Sequence, residues 1–536
     1  MGQTDSGNPL DEHERMVARL LDPARFPHPV REVRLIETHI SSILLTGAYA
    51  YKLKKPLDLG FLDFSTLAKR RACCDEEVRL NRRLAPAIYL GVVPITGSLD
   101  DPHVDSAGEA IDYAVKMREF PQSALLDAML AAGQLATEHI DAVARVVAAF
   151  HRCIDRTPAA APFGGANNVA LPVLQNFEQI GPYSTTPTER QALAALRAWT
   201  EASLQRLAAL FEQRRDDGFV RECHGDLHLG NIAWIDGEVR AFDGIEFNAN
   251  LRWIDVISEA AFLFMDLSER GRPDFAWRFL NGYLEGTGDY GGVGLLDFYL
   301  VYRAMVRAKV GRMRAAQGHL SATERAAAMA SFAAYLGFAE RCSQPRRPLL
   351  IISHGLSASG KSTVMQALLE KVGAVRVRSD VERKRLHGLP ADARTQSAAV
   401  GGIYGADATD RTYRMLFADA RSIVAAGHTA IVDASFLDRR WRDQARQLAS
   451  ELQVPFLIVH CHASEAELRR RLAVRAQAAA DPSEANAEIL AHQIATAQPL
   501  SADERIHTVA LDTEGQDLDA MVSAIEEAIA VGKSPG

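Results

Sequence analysis

The chain has 536 residues, 48% hydrophobic and 24% charged. That is too long for one hydrophobic core, which stops growing at about 250–300 residues, and too ordinary in composition for a disordered, collagenous or low-complexity protein. Sixty Lys and Arg against 68 Asp and Glu leave a formal charge of -8, which offers no global field for a polyanion, so nucleic acid is disfavoured as a partner. Residues 1–16 lack the basic flank and apolar run of a signal peptide, and no stretch reaches the about 18 apolar residues a membrane span needs. The six cysteines include the vicinal Cys73 and Cys74 but no C-x-x-C spacing, as expected of reduced thiols. A cytoplasmic protein without a membrane partner is the expectation.

Strands crowd the first 120 residues and helices follow, for instance over 140–152, 189–211 and 295–314. A small strand-rich lobe therefore feeds a larger helical one. Thr46-Gly47 turns the chain, residues 48–52 form the return strand ending on Lys52, and Glu77 opens a periodic helix over 77–84. A strand lysine held by a helix carboxylate is how kinase-like sites grip nucleotide phosphates, so Lys52 and Glu77 are the candidate pair, with Glu76 as the alternative.

Further on, His224-Gly225-Asp226-Leu-His-Leu-Gly-Asn231 sets an aspartate and an asparagine five residues apart, and Asp243 follows in Val239-Arg-Ala-Phe-Asp243. This spacing repeats a phosphoryl-transfer arrangement in which one Asp accepts the hydroxyl proton while the Asn and the later Asp hold Mg²⁺. Asp226 is the candidate base; Asn231 and Asp243 are the candidate metal ligands. Residues 231–234 start a strand, and Asp236-Gly237 supplies the hairpin turn that brings Asp243 back to the same place. Arg303, Arg307 and Arg314 share one face of the 295–314 helix, either as an acceptor-binding surface or as a solvated or domain-contacting basic face.

These residues resemble the aminoglycoside phosphotransferase and choline kinase group, which carries H-G-D-x-x-x-x-N where protein kinases carry H-R-D. The resemblance covers residues 30–340 and implies an α+β, protein-kinase-like two-lobe domain. It also implies that Thr38 to Ser42 replace a glycine-rich loop, that Met117 to Phe120, including Glu119, form an adenine-binding hinge, and that Asp255 braces the catalytic loop. Residues 56–66 have no counterpart role in the simplest members.

At 343–348, Ser343-Gln-Pro-Arg-Arg-Pro348 ends an Ala-rich helix and precedes the apolar run at 349–352, which marks a linker between a first domain at 1–342 and a second at 349–536; the first divides into a small lobe at about 30–120 and a helical lobe at 121–342. Beyond it, short aliphatic strands over 349–353, 375–379, 429–433 and 456–461 alternate with helices, the pattern of an α/β domain with a parallel sheet. Gly355-Leu356-Ser357-Ala358-Ser359-Gly360-Lys361-Ser362 matches G-x-x-x-x-G-K-[ST] between a strand and a helix, a P-loop whose backbone N–H groups cradle phosphates, with Lys361 on the β and γ groups, Ser362 on Mg²⁺ and the following Thr363 a further candidate for nucleotide binding. Ligands gather at the carboxyl ends of parallel strands, where Asp380 is a candidate base with Arg383 nearby and Asp433 a candidate metal ligand, a helix cap being the alternative for each Asp. Arg471 and Arg475, in the arginine-rich stretch 469–475, are candidate lid residues that would neutralise a transferring phosphoryl group, unless they form a solvated basic face.

Gly355 to Ser362, Ser379-Asp380-Val-Glu-Arg383-Lys384, Val432-Asp433-Ala-Ser-Phe436 and residues 469–475 resemble the P-loop small-molecule kinases, among them gluconate-type kinases, polynucleotide kinase and zeta-toxin-like kinases. The order of the two halves resembles bacterial fusions of a phosphotransferase-like domain to a P-loop kinase. The leading expectation is an ATP- and Mg²⁺-dependent enzyme with two kinase domains acting on hydroxyl groups of small molecules. Two alternatives remain open: that one half is an ATP-binding regulatory module, and that the P-loop half is a toxin-like or polynucleotide-end kinase.

Overall fold

The computed structural model describes residues 8–60, 62–318, 320–391, 393, 405–478 and 486–531. Two compact units interleave along the chain, one of Met1–His139, Cys153–Leu171 and Ala208–Glu259, the other of Ile140–Arg152, Pro172–Leu207 and Ala260–Gly536.

In the first unit β1 (Arg34–Glu37), β2 (Ser41–Leu45), β3 (Tyr49–Lys54), β4 (Tyr89–Gly97), β5 (Pro102–Val104) and β6 (Ala110–Arg118) form an antiparallel sheet in the order β1-β2-β3-β6-β4-β5. Alternation along β3 sends Tyr51 and Leu53 to one face, where they meet Met16, Val17 and Leu20 of the helix Pro9–Arg19. Ala50 faces the other way, towards Cys74 and Val78 of the helix Leu67–Asn81. Lys52 and Lys54, two residues apart, lie on that second face as well. The helix starts where the Thr66 hydroxyl accepts from the Lys69 N–H, so Glu77 sits in its C-terminal half and not, as expected, at its start. The earlier start is invisible in the pattern because Lys69-Arg-Arg71 and Asp75-Glu76 interrupt any apolar stripe. Within 56–66, Phe64 is fully buried with its ring 4.9 Å from the Lys54 ammonium, which gives that residue a packing role.

Below this sheet in sequence, β7 (Val220–Glu222) pairs antiparallel with β10 (Trp253–Asp255), and β8 (Ile232–Ile235) pairs with β9 (Glu238–Ala241). The expected hairpin turn is present: Asp236 and Gly237 have φ of 53° and 78°, the doubly positive geometry of a type I′ turn.

In the second unit the helices Leu296–Ala315 and Ala322–Ser343 pack together, the backbone of Phe332 and the Ala328 carbonyl coming close enough to Gly311 that a Cβ there would lie 3.2 Å from each. A five-stranded parallel sheet follows, built of β11 (Leu350–His354), β12 (Ala374–Arg378), β13 (Thr429–Asp433), β14 (Phe456–His462) and β15 (Thr508–Asp512) in the order β12-β13-β11-β14-β15. Helices cover both faces of such a sheet, which is why Leu350 to Ile352, Ala430 to Val432 and Phe456 to Val459 are buried as continuous runs. Among the described residues, no helix is long and apolar enough to cross a membrane.

Candidate active sites

The first site lies wholly within the first unit. Lys52 donates to Glu77 Oε1 at 2.9 Å and pairs with Asp243, as expected. Lys54 joins from the same strand face, donating to Glu77 Oε2 at 2.7 Å and pairing with Glu246. Burial alone would drive the Lys52 ammonium down, but the Asp243 and Glu77 carboxylates outweigh it and hold it well above its ordinary value. Burial likewise opposes the Glu77 carboxylate, yet Lys52 and Lys54 keep it well below the usual range. A permanently charged pair is therefore presented at the end of β3. Glu76, the alternative partner, is committed to Arg79 and Arg252 instead.

The loop from His224 to Asn231 is held from several sides. His224, kept neutral by burial, lies with Nε2 2.8 Å from the Phe242 carbonyl, which makes that nitrogen the donor. Gly225 has φ of 89° and donates its N–H to Glu259 Oε2 at 2.6 Å; a Cβ there would lie 2.8 Å from the Leu251 carbonyl, so glycine is required. Asn231 Nδ2 donates to Asp226 Oδ2 at 3.1 Å and to the Asp226 carbonyl at 3.0 Å, which aims the carboxylate and leaves the amide oxygen as a donor to a cation. Asp243 adopts φ of 63°, its N–H donating to the Tyr89 hydroxyl at 3.0 Å, while the next N–H, of Gly244, donates to Asn81 Oδ1 at 2.8 Å. The Asp226 and Asp243 side chains are 38% and 45% exposed, so both can meet a ligand. Hard oxygens of Asn231 and Asp243 beside a lysine fit Mg²⁺ bound to a polyphosphate.

The second site is built from the carboxyl ends of β11, β12 and β13. Gly355 has φ of 144°, and a Cβ on it would fall 2.3 Å from the Cys461 carbonyl; Gly360, at φ of 84°, ends the loop and begins the helix Lys361–Val372. Lys361 Nζ donates to the Gly355 and Leu356 carbonyls at 3.0 and 2.7 Å. A cavity of about 380 Å³ is lined by residues 357–363 together with Arg378, Asp380, Arg383, Asp433 and Trp441. Asp433 Oδ1 lies 3.1 Å from the Ser353 hydroxyl, whereas its buried Oδ2 has no hydrogen-bond partner among the described residues. A buried carboxylate oxygen that makes no hydrogen bond and lines the same cavity as Ser362 is available to a cation, so this donor set also fits Mg²⁺.

Other expected residues are placed differently. Arg471 is tied to the P-loop, donating to the Ala358 carbonyl at 3.3 Å and the Thr513 carbonyl at 2.7 Å, and the side chain of Arg475 lies outside the described residues. Met117 is buried in β6; the Glu119 N–H donates to the Ala48 carbonyl, and its carboxylate accepts from the Gly47 N–H at 2.7 Å. Asp255, expected to brace the catalytic loop, grips Arg214 at 2.7 and 2.9 Å, and Glu259 takes the loop instead. Arg303 is buried with its guanidinium 4.9 Å from the Phe262 ring, and that of Arg307 lies 5.7 Å from the Tyr335 ring, so these two of the three arginines singled out on the basic helix lie over aromatic rings. Sequence reasoning missed Lys54, Asn81, Glu246 and Glu259, and also Gln493, whose Oε1 accepts from the Ser357 N–H at 2.8 Å. The D-G-x-E spacing from Asp243 to Glu246 and the K-x-K spacing from Lys52 to Lys54 are the only signals that could have found two of them.

A family model described as the phosphotransferase enzyme family matches residues 66–296, and one described as an AAA domain matches residues 350–500. The uncharacterized protein Rv2004c of Mycobacterium tuberculosis is 31% identical over 484 residues, covering 90% of this chain and 94% of the relative, and Mb2027c of Mycobacterium bovis matches to the same extent. Among solved structures, a gluconokinase from Sinorhizobium meliloti aligns with a TM-score of 0.25 at 26% identity, over 35% of this chain and 94% of that one. The amicoumacin kinase hAmiN, in complex with AMP-PNP, Ca²⁺ and Ami, aligns with a TM-score of 0.37 at 16% identity, over 61% of this chain and 93% of that one.

Proposed function

We propose that this chain, a phosphotransferase enzyme belonging to the family of the mycobacterial proteins Rv2004c and Mb2027c, carries two separate ATP- and Mg²⁺-dependent sites that phosphorylate hydroxyl groups of small molecules. The observation that carries this reading is the duplication: two constellations, each with a lysine, a carboxylate able to take a proton and a pair of oxygen donors for a cation, the first running from Lys52 into the segment matched at 66–296 and the second inside the segment matched at 350–500.

In the first site Lys52, held by Glu77, would bind the nucleotide phosphates. The half-exposed Asp226 carboxylate, aimed by Asn231, would accept the acceptor hydroxyl's proton as the hydroxyl oxygen attacks the γ-phosphorus and the bond from that phosphorus to the β–γ bridging oxygen breaks, releasing ADP. Asn231 and Asp243 would hold Mg²⁺. In the second site the P-loop N–H groups and Lys361 would cradle the phosphates, Ser362 and Asp433 would hold Mg²⁺, and Asp380 would take the proton, with Arg383 against the acceptor. Bound at either site, the metal supplies neutralisation of phosphate charge. The cytoplasm supplies both ATP and such acceptors.

Transfer of labelled γ-phosphate from ATP into a fractionated metabolite extract tests the reading, with wild type, Asp226→Asn and Lys361→Ala in parallel. One labelled product should vanish with each variant. A product pattern indifferent to Asp226→Asn would make the first half a nucleotide-binding regulator, and a labelled oligonucleotide end lost with Lys361→Ala would replace the small acceptor of the second.

A further inference from the structure

One edge of the parallel sheet is β12, and an edge strand leaves backbone donors and acceptors unpaired. Here the helix Pro273–Thr287 covers it. Asn281 does what a neighbouring strand would do, donating from Nδ2 to the Ala374 carbonyl at 2.9 Å and accepting at Oδ1 from the Arg376 N–H at 2.7 Å. This helix falls inside the stretch matched to the phosphotransferase family, 66–296, yet it belongs to the same compact unit as the P-loop.

One turn beyond Asn281 the same helix presents Glu285. Its Oε1 accepts from Arg376 Nε at 3.2 Å and Nη2 at 2.8 Å, and its Oε2 lies 3.6 Å from Arg378 Nη1. Both arginines lead to the P-loop site. Arg376 also donates to the carbonyl of Ser362 at 3.3 Å and to Gln366 Oε1 at 2.8 Å, on the first turns of the P-loop helix. Arg378 lines the cavity, and its Nε lies 4.0 Å from Oδ2 of Asp433, the buried oxygen without a hydrogen-bond partner among the described residues. A guanidinium 4 Å from a carboxylate, in a half-buried site, is attracted strongly enough to close on it unless something opposes the movement. Glu285, 3.6 Å from Nη1 of the same guanidinium, is an anion that competes with Asp433 for it.

We propose that Glu285 is a positioning residue of the P-loop site, supplied by the helical region of the phosphotransferase-like half, which holds Arg378 off Asp433 so that this carboxylate is kept for a divalent cation. The inference rests on reading Asp433 as a ligand of the nucleotide's Mg²⁺. It makes the P-loop site incomplete without residues 273–287, so the second half is not an autonomous kinase.

The test is binding of a fluorescent ATP analogue to the full chain as Mg²⁺ is titrated, with Lys52→Met in every sample to silence the first site and Lys361→Ala to identify the second. Glu285→Gln should raise the Mg²⁺ concentration giving half-maximal binding roughly tenfold, because Arg378 then occupies Asp433. Adding Arg378→Gln to Glu285→Gln should restore the wild-type midpoint, which repair of mere packing damage would not do. An unchanged midpoint in Glu285→Gln overturns the proposal, as does an equal rise in the double variant. Absence of any Lys361-dependent, Mg²⁺-dependent binding in the Lys52→Met chain overturns the underlying reading of the site and the proposal with it.

Discussion

Lys54→Met is the most informative single change in the first unit. The Lys54 ammonium is fully buried and bridges Glu77 and Glu246. Without it Glu77 keeps Lys52, but Glu246, itself 7% exposed, loses its cation. Removing one partner of a buried ion pair costs about 3–5 kcal/mol. For a unit of this size that lowers the melting temperature by roughly 2–4 °C per kcal/mol, so a fall of about 6–20 °C is expected. The loss must also depend on pH. Burial already pushes the Glu246 carboxyl up in the wild type, and without Lys54 the folded variant will hold a proton there that the unfolded chain, titrating at about 4.3, has released. Since the folded state then binds the extra proton, stability falls as pH rises above that value, by about 1.4 kcal/mol per pH unit until the folded carboxyl ionises. Thermal melts taken stepwise upward from pH 5 should therefore show the variant diverging further from wild type until that carboxyl ionises. Replacing both partners, Lys54→Met with Glu246→Leu, should recover most of the loss and flatten its pH dependence. A deficit that does not grow with pH, or a double variant as damaged as the single one, would refute the reasoning.

Asp226→Asn keeps the hydrogen-bonding shape of a half-exposed side chain, so it should lower kcat for one labelled product by about 10²–10⁴-fold while leaving the melting curve in place. Gly355→Ala would put a methyl carbon 2.3 Å from the Cys461 carbonyl at a φ of 144°, so the variant should lose Lys361-dependent nucleotide binding in a fluorescence titration while product formation that depends on Asp226 survives. His428, fully buried with Nδ1 2.8 Å from Arg346, is held by burial at about 3, whereas the unfolded chain takes up that proton near about 6.5. Its contribution is present above pH 6.5 and is lost on acidification towards 3, so His428→Gln should flatten the decline in melting temperature between about pH 6.5 and 4, by about 1.4 kcal/mol per pH unit.

What the sequence made legible was whatever a local pattern encodes. The parallel strands were readable because a strand buried on both faces is a bounded aliphatic run, as in Leu349-Leu-Ile-Ile352 and Ala430-Ile-Val432. The exception, β15, is an edge strand with only Leu511 buried among its five residues, so Thr508-Val-Ala-Leu-Asp512 carries no run to read. Likewise His224 to Asn231 and Gly355 to Ser362 announce themselves because glycine-dependent backbone and chemistry must sit at fixed offsets along one loop. The residues that hold these loops in place have no such offset. Glu259 is 34 positions from the glycine N–H it accepts, and Asn81 is 163 from Gly244.

The same distinction explains why reading by resemblance misplaced the loop's brace. An aspartate at 255 has the position the resemblance implies, but a carboxylate's role is decided by which cation or N–H reaches it first in space. Arg214, at the end of the helix Pro187–Asp216, approaches Asp255 with two guanidinium nitrogens at 2.7 and 2.9 Å. A buried bidentate pair of that kind leaves the carboxylate fixed on the arginine. Glu259, one turn further along the helix Val256–Glu269, then meets the Gly225 N–H. Glu259→Gln should still accept from the Gly225 N–H and keep most of the Asp226-dependent turnover, whereas Glu259→Ala removes that acceptor, a loss of about 1–3 kcal/mol, and should lower kcat through a loosened Asp226. Equal turnover in the two variants would return the brace to Asp255.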